Sequence, residues 1–393
     1  MQICNIYPQF RSLAGGEKLV IKTCNLLAER GFSVSLITLS MNYECRKELN
    51  KKVNIIETDH SLDNITNHYW KVFLEHLFIY KTAKFIPPTT DVTCFHKSSS
   101  LLALYYYKHI IKSPIPAFYF CYEPPRFLYD LRKETLTRLG LFGFLVKPLY
   151  PLLRFLDRKL AESSNSILAF SAYLNKEIAQ IYKKPIKMIG PLGVDIPTIE
   201  YDYGLLNKYR LTTDSKIILT VNRLQPRKRI YLLIEALPMI LKEQPNVKVI
   251  IVGSGPEEKK LKELAKKLNV ENYISFAGYI DEKDLQSFYT IADLYVHLAK
   301  NEPFGLSVIE AMASGKTVIS VKEGGPAQIL YENETGFFVE PTIEAVSDKV
   351  VYLLKDKSKL TRIGQKAEEF ISNKYNWNSY INRFIDAMSL DNR

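Results

Sequence analysis

The stretch Asp293–Ser320 reads DLYVHLAKNEPFGLSVIEAMASGKTVIS, and it has the pattern of a complete strand–helix–strand unit. Its first part, DLYVHLAK, is apolar enough for a buried strand, and NEPFG has the proline and glycine of a loop. Apolar residues at helical spacing follow in LSVIEAMASG, which ends at Gly315 before the β-branched run Thr317–Val321. Two strands joined by a helix are typical of a parallel α/β sheet.

The same alternation extends over most of the chain on both sides of this unit. Before residue 210 we predict strands at Ile3–Tyr7, Ser33–Thr38, Val53–Ile56, Thr93–Phe95, Ala117–Cys121 and Ser166–Phe170. After residue 210 we predict strands at Lys216–Val221, Val247–Val252, Tyr273–Phe276, Leu294–Val296 and Thr317–Val321. Amphipathic stretches such as GEKLVIKTCNLLAERG separate the strands. The predicted fold class is therefore α/β, with helices on both faces of parallel sheets.

The chain is long enough for two such domains. It has 393 residues, and single hydrophobic cores stop growing at roughly 250–300 residues. The alternation restarts near Lys216, after the aperiodic stretch GPLGVDIPTIEYDYG. We therefore predict two doubly wound, Rossmann-like domains, residues 1–195 and 196–372, that face each other across a cleft. Residues 373–393 are predicted to form a helix that crosses back to the first domain.

Composition and cysteine usage indicate a reduced, globular protein. Apolar residues make up 47% and charged residues 24% of the chain, as in ordinary globular domains. The five cysteines all lie in the first third, without the spacing of a zinc site, and we predict that they are reduced and mostly buried. MQICNIYP lacks the features of a signal peptide, and no apolar run reaches the roughly 18 residues of a spanning helix. A cytoplasmic location is the expectation.

One segment, residues 138–159, has two interpretations. It contains LGLFGFLVKPLYPLLRFL, and its basic residues are Arg138, Lys147, Arg154, Arg158 and Lys159. This pattern fits a helix lying on an anionic membrane surface. It fits equally well a buried helical hairpin whose basic side chains reach solvent.

The net charge of +11 indicates a polyanionic partner without identifying it. A phosphate ligand, lipid headgroups and nucleic acid are the three classes. Nucleic acid is disfavoured, because the chain has no recognised nucleic-acid module and its basic residues are not gathered with aromatic residues into a stacking surface.

Two basic residues follow the first strand of the second domain. KIILTVN runs directly into RLQPRKRI, which places Arg223 and Lys228 in the strand-to-helix loop. Ligands of doubly wound sheets bind beyond the carboxyl ends of the strands, and an Arg with a Lys suits a diphosphate. Solvated surface charge is the alternative interpretation.

Glu302 and Glu310 stand eight positions apart on either side of a Pro-Phe-Gly-Leu turn. The helix predicted to begin near Gly305 directs unpaired N–H groups and its positive dipole end toward a ligand, which suits phosphate. A carboxylate accepts hydrogen bonds from adjacent hydroxyls of a ribose or hexose. Both glutamates can face one ligand only if the turn is not helical. Otherwise they are exposed residues of an ordinary helix.

Two glycine motifs carry weaker signals. Gly15 and Gly16 open the first helix of the first domain, where a glycine pair permits close approach to an acceptor or phosphate. A plain strand-to-helix turn explains them as simply. Gly253-Ser254-Gly255 lacks the third glycine of a dinucleotide fingerprint, so we predict a tight turn there rather than an NAD site.

Taken together and in this order, these segments resemble the large glycosyltransferase family called group 1 or family four, whose members are retaining enzymes with the GT-B fold. The resemblance covers nearly the whole chain. Its most specific element is the pair of glutamates separated by seven residues in EPFGL…EAMASG, and it also includes GGEKLVIKTCNLLAERGFSVSLIT, GPLGVD, VNRLQPRKR, VGSGPEEKKL, FAGYIDEKDLQSFYTIADLYVHLAK and EGGPAQIL.

The resemblance implies roles for the residues already singled out. Arg223 and Lys228 would hold the donor diphosphate, Glu302 would lie beside the transferred sugar, and Glu310 would bind the nucleotide ribose. Phe304, Gly305 and Leu306 would contact the sugar or its phosphate, and Tyr279 and Ile280 would line the base pocket. Gly16, next to Gly15, would close the diphosphate from the first domain.

The implied reaction is metal-independent retaining transfer of a hexose from GDP-mannose or a UDP-hexose to a glycan or lipid-linked acceptor, without a cofactor. The chain has no Asp-x-Asp triplet, and cations with a helix terminus can stabilise a leaving diphosphate. Retention is implied by the resemblance alone. Glu302 as nucleophile is one mechanism, and front-face attack, which we favour, is the other.

One position departs from the family pattern. Relatives often have His-x-Pro at the end of a first-domain strand, where this chain has Tyr122 in FCYEPPRF. Tyrosine is a poor proton carrier at neutral pH, which puts a general-base role in doubt. Glu123 or Arg126 is an alternative acceptor contact, and His96 is either a cleft residue or a structural histidine.

Two rival functions remain open from the sequence. A nucleotide-sugar epimerase of the same architecture would use the same donor site, although the EPFGL context favours transfer. A non-catalytic, basic membrane-binding protein has only the net charge and residues 138–159 in its favour.

Overall fold

The protein is described here by a computed structural model of residues 1–393, except residues 59–73, 139, 141–142, 144–145, 198–202, 210 and 390–393. The chain divides into two compact units. The first unit comprises Met1–Pro191 and Asn378–Arg393, and the second comprises Leu192–Trp377. Each unit is built around its own parallel sheet.

The sheet of the first unit has seven parallel strands in the order β3-β2-β1-β4-β5-β6-β7. Such an order, which starts in the middle and winds outward in both directions, is that of a doubly wound sheet. The strands are β1 (Gln2–Ile6), β2 (Ser33–Thr38), β3 (Asn54–Glu57), β4 (Val92–His96), β5 (Ala117–Phe120), β6 (Ser166–Ala169) and β7 (Ile186–Met188).

The sheet of the second unit has six parallel strands in the order β10-β9-β8-β11-β12-β13. The strands are β8 (Lys216–Val221), β9 (Val247–Val252), β10 (Ile274–Gly278), β11 (Leu294–His297), β12 (Thr317–Val321) and β13 (Phe337–Val339). The first strand again lies near the middle, so the second unit is doubly wound too. The predicted α/β class with two Rossmann-like domains is confirmed.

Helices connect successive strands in both units. In the first unit the α-helices are Gly15–Glu29, Tyr43–Lys47, Leu101–Tyr105, Arg132–Arg138, Tyr150–Ala161 and Ala172–Ile181. In the second unit they are Tyr203–Lys208, Ile230–Glu243, Glu258–Lys267, Glu282–Ile291, Leu306–Ala313, Ile343–Leu354 and Lys357–Lys374. The last helix, Trp377–Ser389, follows the boundary between the units.

Central strands are largely apolar because helices cover both faces of each sheet. In the second unit the strands share one buried core with helices Ile230–Glu243 and Ile343–Leu354, which also pack on each other. The core there includes Ile218, Val249, Ile251, Val296, Ile319, Leu233, Leu237, Val346 and Val350. All five cysteines are buried free thiols, as predicted.

The last helix packs on the first unit. The hydroxyl of Tyr380 is 2.9 Å from that of Thr23, and the ring of Phe384 lies 6.2 Å from that of Phe120. The guanidinium of Arg383 donates to the carbonyl of Pro191 at 2.7 Å. The helix therefore completes the core of the first unit, although the second unit precedes it in the chain.

None of the described helices has the length and apolar character of a transmembrane span. Of segment 138–159, residues 139, 141–142 and 144–145 lie outside the described residues. Its described helix, Tyr150–Ala161, buries Tyr150 and Ala161 and leaves Leu152 and Phe155 54% and 55% exposed.

Candidate functional site

A short 3₁₀ turn, Pro226–Lys228, connects β8 to the helix Ile230–Glu243 and carries two cations. The ammonium of Lys228 donates to Oε2 of Glu302 at 2.5 Å, and the guanidinium of Arg227 donates to the same oxygen at 2.8 Å. The three side chains are only 9–17% exposed. One buried carboxylate oxygen thus lies between two positive charges at the carboxyl edge of the second sheet.

Electrostatics keep Glu302 ionised. Burial alone raises the pKa of its carboxyl, but the charges of Lys228 and Arg227 outweigh burial and hold that pKa well below its usual range. At neutral pH the cluster carries two positive charges and one negative charge. It therefore has positive charge to offer an anionic ligand.

Backbone contacts fix the loop that carries Glu302. The amide of Lys300 donates to the carbonyl of Arg227 at 2.8 Å, and the amide of Gly325 donates to the carbonyl of Glu302 at 2.6 Å. Gly324 has a φ of +65°, and a Cβ there would lie 2.4 Å from the Glu302 carbonyl oxygen. Only glycine permits this close approach of two loops.

The helix Leu306–Ala313 begins immediately after this loop. Its N-cap is Gly305, with a φ of +99°, and among the described residues no side chain caps it. The first backbone N–H groups therefore stay available to a ligand, and the dipole makes the terminus attractive to an anion. Phe304 is 6% exposed and anchors the turn in the protein interior, whereas Leu306 is half-buried.

Glu310 lies in the same helix and bonds to the helix Glu282–Ile291. Its Oε2 accepts a hydrogen bond from the hydroxyl of Tyr289 at 2.8 Å. Because residues before Gly305 are not helical, Glu302 and Glu310 do not follow the angular spacing of one continuous helix. Glu302 pairs with the cations of the 3₁₀ turn, and Glu310 is oriented by Tyr289.

Arg223 is not part of the ion cluster. It is exposed on the loop after β8, whereas Arg227, which the sequence analysis did not select, pairs with Glu302. Gly253 and Gly255 lie close to this loop, since a Cβ on each would lie 2.0 Å and 2.4 Å from the carbonyl oxygens of Asn222 and Leu224. The close packing of two loops thus requires glycines after β9, as expected of the predicted tight turn.

Tyr279 and Ile280 follow β10 at the same edge of the second sheet. The amide of Gly253 donates to the carbonyl of Gly278 at 2.7 Å, which ties this loop to the one after β9. Tyr279 is 52% exposed, so its ring is accessible to a ligand.

His297 ends β11 and is a buried group that the sequence analysis did not select. It is fully buried, and neither ring nitrogen has a hydrogen-bond partner among the residues that the structure describes. Its ring stacks on Tyr295 at 6.4 Å. Burial and the nearby ammonium of Lys228 lower the pKa of His297 to about 3, so the imidazole is neutral beside the ion cluster.

The carboxyl edge of the first sheet has a second polar cluster. The helix Gly15–Glu29 starts at Gly15, and a Cβ on Gly16 would lie 3.2 Å from both Lys97 and Tyr122. The ammonium of Lys97 lies 3.1 Å from a carboxylate oxygen of Glu17. Gly16 and Tyr122, selected separately from the sequence, are therefore neighbours.

Tyr122 is held by His96. The imidazole Nδ1 is 3.0 Å from the Tyr122 hydroxyl, and Nε2 is 2.9 Å from Oδ1 of Asn5. Burial, with a smaller effect of Lys97, lowers the pKa of His96 to about 3. His96 is thus a buried structural histidine that orients the tyrosine. Glu123 lies 3.9 Å from the guanidinium of Arg126 in an ion pair on the same loop.

The residues missed by sequence reasoning share one property: their roles depend on contacts with distant parts of the chain. Arg227 meets Glu302 across 75 positions, and Lys97 meets Glu17 across 80. For Arg227 a signal existed, because three successive basic residues follow Pro226 in the cleft loop. For His297 and Lys97 no local pattern distinguishes them from structural residues.

Comparison with known proteins finds similarity to glycosyltransferases, most clearly in the second unit. Residues 205–370 match the family model of glycosyl transferases group 1. An uncharacterized glycosyltransferase of Methanocaldococcus jannaschii is 28% identical over 236 residues, which are 58% of this chain and 60% of that protein. The GDP-mannose-dependent alpha-(1-6)-phosphatidylinositol monomannoside mannosyltransferase of Mycobacterium tuberculosis is 25% identical over 254 residues, 61% of this chain and 66% of that protein.

The chain thus spans a little less than two thirds of the length of these relatives. Among solved structures, Anabaena HepE in complex with UDP and glucose has a TM-score of 0.76 at 19% identity, with 99% of each chain covered. That likeness concerns the fold, and it extends over both units. The match to the family model of group 1 glycosyl transferases is confined to residues 205–370, within the second unit.

Proposed function

We propose that the protein is a metal-independent retaining glycosyltransferase that moves a hexose from a nucleotide-diphosphate sugar to a glycan or lipid-linked acceptor. The observation that carries this proposal is the Lys228–Glu302–Arg227 cluster beside the uncapped N-terminus of helix Leu306–Ala313. Two cations and free amides at one place suit a diphosphate. The carboxylate between them suits a sugar hydroxyl.

Stabilisation of the leaving group is the main catalytic contribution expected of this site. When the glycosidic bond to the diphosphate breaks, negative charge grows on the phosphate oxygen. Lys228, Arg227 and the first amides of the helix are held in place before the reaction, so they stabilise that charge without reorganisation. These groups supply the positive charge that a divalent cation provides in other transferases.

The environment of Glu302 favours front-face attack over a covalent intermediate. Its Oε2 accepts hydrogen bonds from Lys228 and Arg227, and its pKa is held well below the usual range. An oxygen so committed is a weak nucleophile. Its charge is instead suited to orienting the sugar and stabilising positive charge that develops at the anomeric carbon. The departing phosphate would then take the proton of the acceptor hydroxyl.

The donor is proposed to be GDP-mannose or a UDP-hexose. The mycobacterial relative is named for GDP-mannose, and the Anabaena structure contains UDP and glucose. The residues proposed to contact the nucleotide are Glu310 for the ribose, Tyr279 and Ile280 for the base, and Arg223 at the loop edge.

Turnover of nucleotide sugars tests the proposal. We expect the purified protein to hydrolyse or transfer from one donor of a GDP- and UDP-sugar panel, with undiminished rate in EDTA. K228A and E302Q should each lose activity. An isomeric nucleotide sugar formed without acceptor would identify an epimerase instead. Absence of binding and turnover with every donor would refute the proposal.

We further propose that the first unit docks on an anionic membrane. On and next to the helix Tyr150–Ala161, four apolar side chains are between 45% and 55% exposed: Leu149, Leu152, Phe155 and Leu156. Exposed basic residues border them: Lys147, Arg158 and Lys159. An apolar stripe flanked by cations matches a surface of anionic lipid. The membrane-bound part of a lipid-linked acceptor would then reach the enzyme by the same surface.

Vesicle flotation tests the docking surface. We expect binding to vesicles with anionic lipid and none to neutral vesicles. The double variant L152E/F155E should stay unbound. M239E is the matched control, because Met239 is an exposed apolar residue of the second unit, 38% exposed. Equal flotation of L152E/F155E and wild type would contradict a role for this helix.

A further inference from the structure

Arg229 has a backbone conformation that arginine disfavours. Its φ of +50° and ψ of +32° lie in the left-handed region, which glycine occupies without steric cost. The residue stands between the 3₁₀ turn Pro226–Lys228 and the helix Ile230–Glu243. Since glycine fits this backbone better, the arginine side chain is expected to contribute something that glycine lacks.

The contribution is an ion pair with a different loop. The guanidinium of Arg229 lies 2.9 Å from Oε1 of Glu323, and the two side chains are only 15% and 28% exposed. Glu323 immediately precedes Gly324 and Gly325, whose backbone packs against Glu302. The pair therefore links the turn that carries Arg227 and Lys228 to the 323–326 loop, which packs against the backbone of Glu302.

Three segments then form a closed set of contacts. The amide of Lys300 donates to the carbonyl of Arg227 at 2.8 Å, which joins the 300–305 loop to the turn. The amide of Gly325 donates to the carbonyl of Glu302 at 2.6 Å, which joins the 323–326 loop to the 300–305 loop. The Arg229–Glu323 pair joins the turn and the 323–326 loop directly. Of these three links, the Arg229–Glu323 pair is the one formed between two side chains.

We propose that Arg229 is a positioning residue: through Glu323 it fixes the distance between the cations Arg227 and Lys228 and the Glu302 loop. It does not touch the ligand in this account. Its effect on a nucleoside diphosphate rests on the proposed function, whereas the link between the loops does not.

The variants R229G, R229K and E323Q separate this role from a general contribution to folding. R229G removes the backbone strain and the ion pair together, so it should melt no lower than wild type. Hydrogen exchange in peptides covering 300–305 and 323–328 should nevertheless become faster. E323Q should give the same faster exchange without any change of backbone preference, and R229K should restore part of the protection.

Titration of UDP and GDP completes the test. We expect the Kd of the bound nucleotide to rise roughly tenfold in R229G and E323Q, with a smaller rise in R229K. K112G is the matched control, because Lys112 also has a positive φ, +60°, but lies in the first unit. It should change neither exchange in the two loops nor the nucleotide Kd.

The outcomes are distinguishable. Wild-type exchange rates in R229G and E323Q would overturn the link between the loops. Faster exchange with an unchanged nucleotide Kd would overturn the positioning role. Faster exchange in a protein that binds neither UDP nor GDP in any form would support the link and refute the proposed function.

Discussion

Glu302 is the residue on which the proposed site depends. Its Oε2 accepts hydrogen bonds from Arg227 and Lys228, and its backbone carbonyl accepts one from the amide of Gly325. Its side chain is 16% exposed, and its partner Lys228 is 9% exposed. A buried charge whose partner is removed is strongly destabilising. The stability of this cluster therefore reports its geometry even before a substrate is known.

The pH dependence of E302Q tests the ionised pair. The folded pKa of Glu302 is lowered, so its ionisation stabilises the fold above the unfolded pKa of roughly 4.3 and this stabilisation is lost as pH falls toward the folded value. We expect E302Q to be less stable than wild type by about 3 kcal/mol at pH 7. This difference in the free energy of unfolding, measured by urea unfolding, should become smaller below about pH 4. A difference that does not depend on pH would show that the carboxylate is not paired as described.

His297 gives the second prediction at this scale. Its nitrogens have no partners among the described residues, and its pKa is lowered to about 3, so it stays neutral at any ordinary assay pH. Replacing an unbonded buried imidazole by an apolar side chain removes a desolvation cost. We expect H297L to melt at or above the wild-type temperature and to keep the shape of the pH–rate profile above pH 5. Loss of a limb of that profile near neutrality would assign His297 a proton-transfer role instead.

At the scale of elements, glycines decide how closely the loops of the second unit approach. A Cβ on Gly324 would lie 2.4 Å from the Glu302 carbonyl oxygen, whereas a Cβ on Gly278, also at positive φ, would meet nothing within 4 Å. We expect G278A to lower the free energy of unfolding by about 1 kcal/mol, the cost of the left-handed backbone. G324A should cost clearly more, because the loop must also move. Equal losses in chemical unfolding would mean that the close approach of the loops does not occur.

Elements with strong local patterns are predictable from the sequence. Ser33–Thr38, Lys216–Val221, Val247–Val252 and Thr317–Val321 occur with the predicted bounds, because long β-branched runs between turn residues specify buried strands. The strands β7 and β13 were not predicted. Each has three residues, too few for a period, and each forms at the edge of a sheet that other strands complete.

The site is less predictable than the fold. Pro303 and Gly305 indicate the end of a loop and the start of a helix, so the position of the helix terminus is readable from the sequence. The basic run after Pro226 is a signal for Arg227, but both arginines lie on the loop after β8, and the path of the turn directs Arg227 to Glu302. The same holds for Tyr122, whose partner His96 is 26 positions away.

At the scale of the whole molecule, the first unit is built from two separate parts of the chain. These are Met1–Pro191 and Asn378–Arg393, and the second unit lies between them in sequence. The last helix packs on the first unit, and Phe384 is fully buried there. F384A should therefore destabilise the first unit by about 3–5 kcal/mol. In limited proteolysis read by mass spectrometry, we expect earlier cleavage within 1–191 and unchanged cleavage within 192–377. Earlier cleavage in both segments alike would show that the helix supports the two units equally.

Two groups of basic residues, one in each unit, contribute to the net charge of +11. In the second unit two cations are buried beside an uncapped helix, and in the first unit exposed lysines and an arginine border an apolar stripe. We propose these as two different anion-binding surfaces, one suited to a small ligand and one to a lipid headgroup layer.

A crystal structure of the protein with UDP or GDP tests the central claim most directly. We expect a β-phosphate within hydrogen-bonding distance of the Lys228 ammonium and of the backbone amides that open the helix Leu306–Ala313. A nucleotide bound away from that terminus, with the Lys228–Glu302 pair undisturbed and its amides facing solvent, would contradict it.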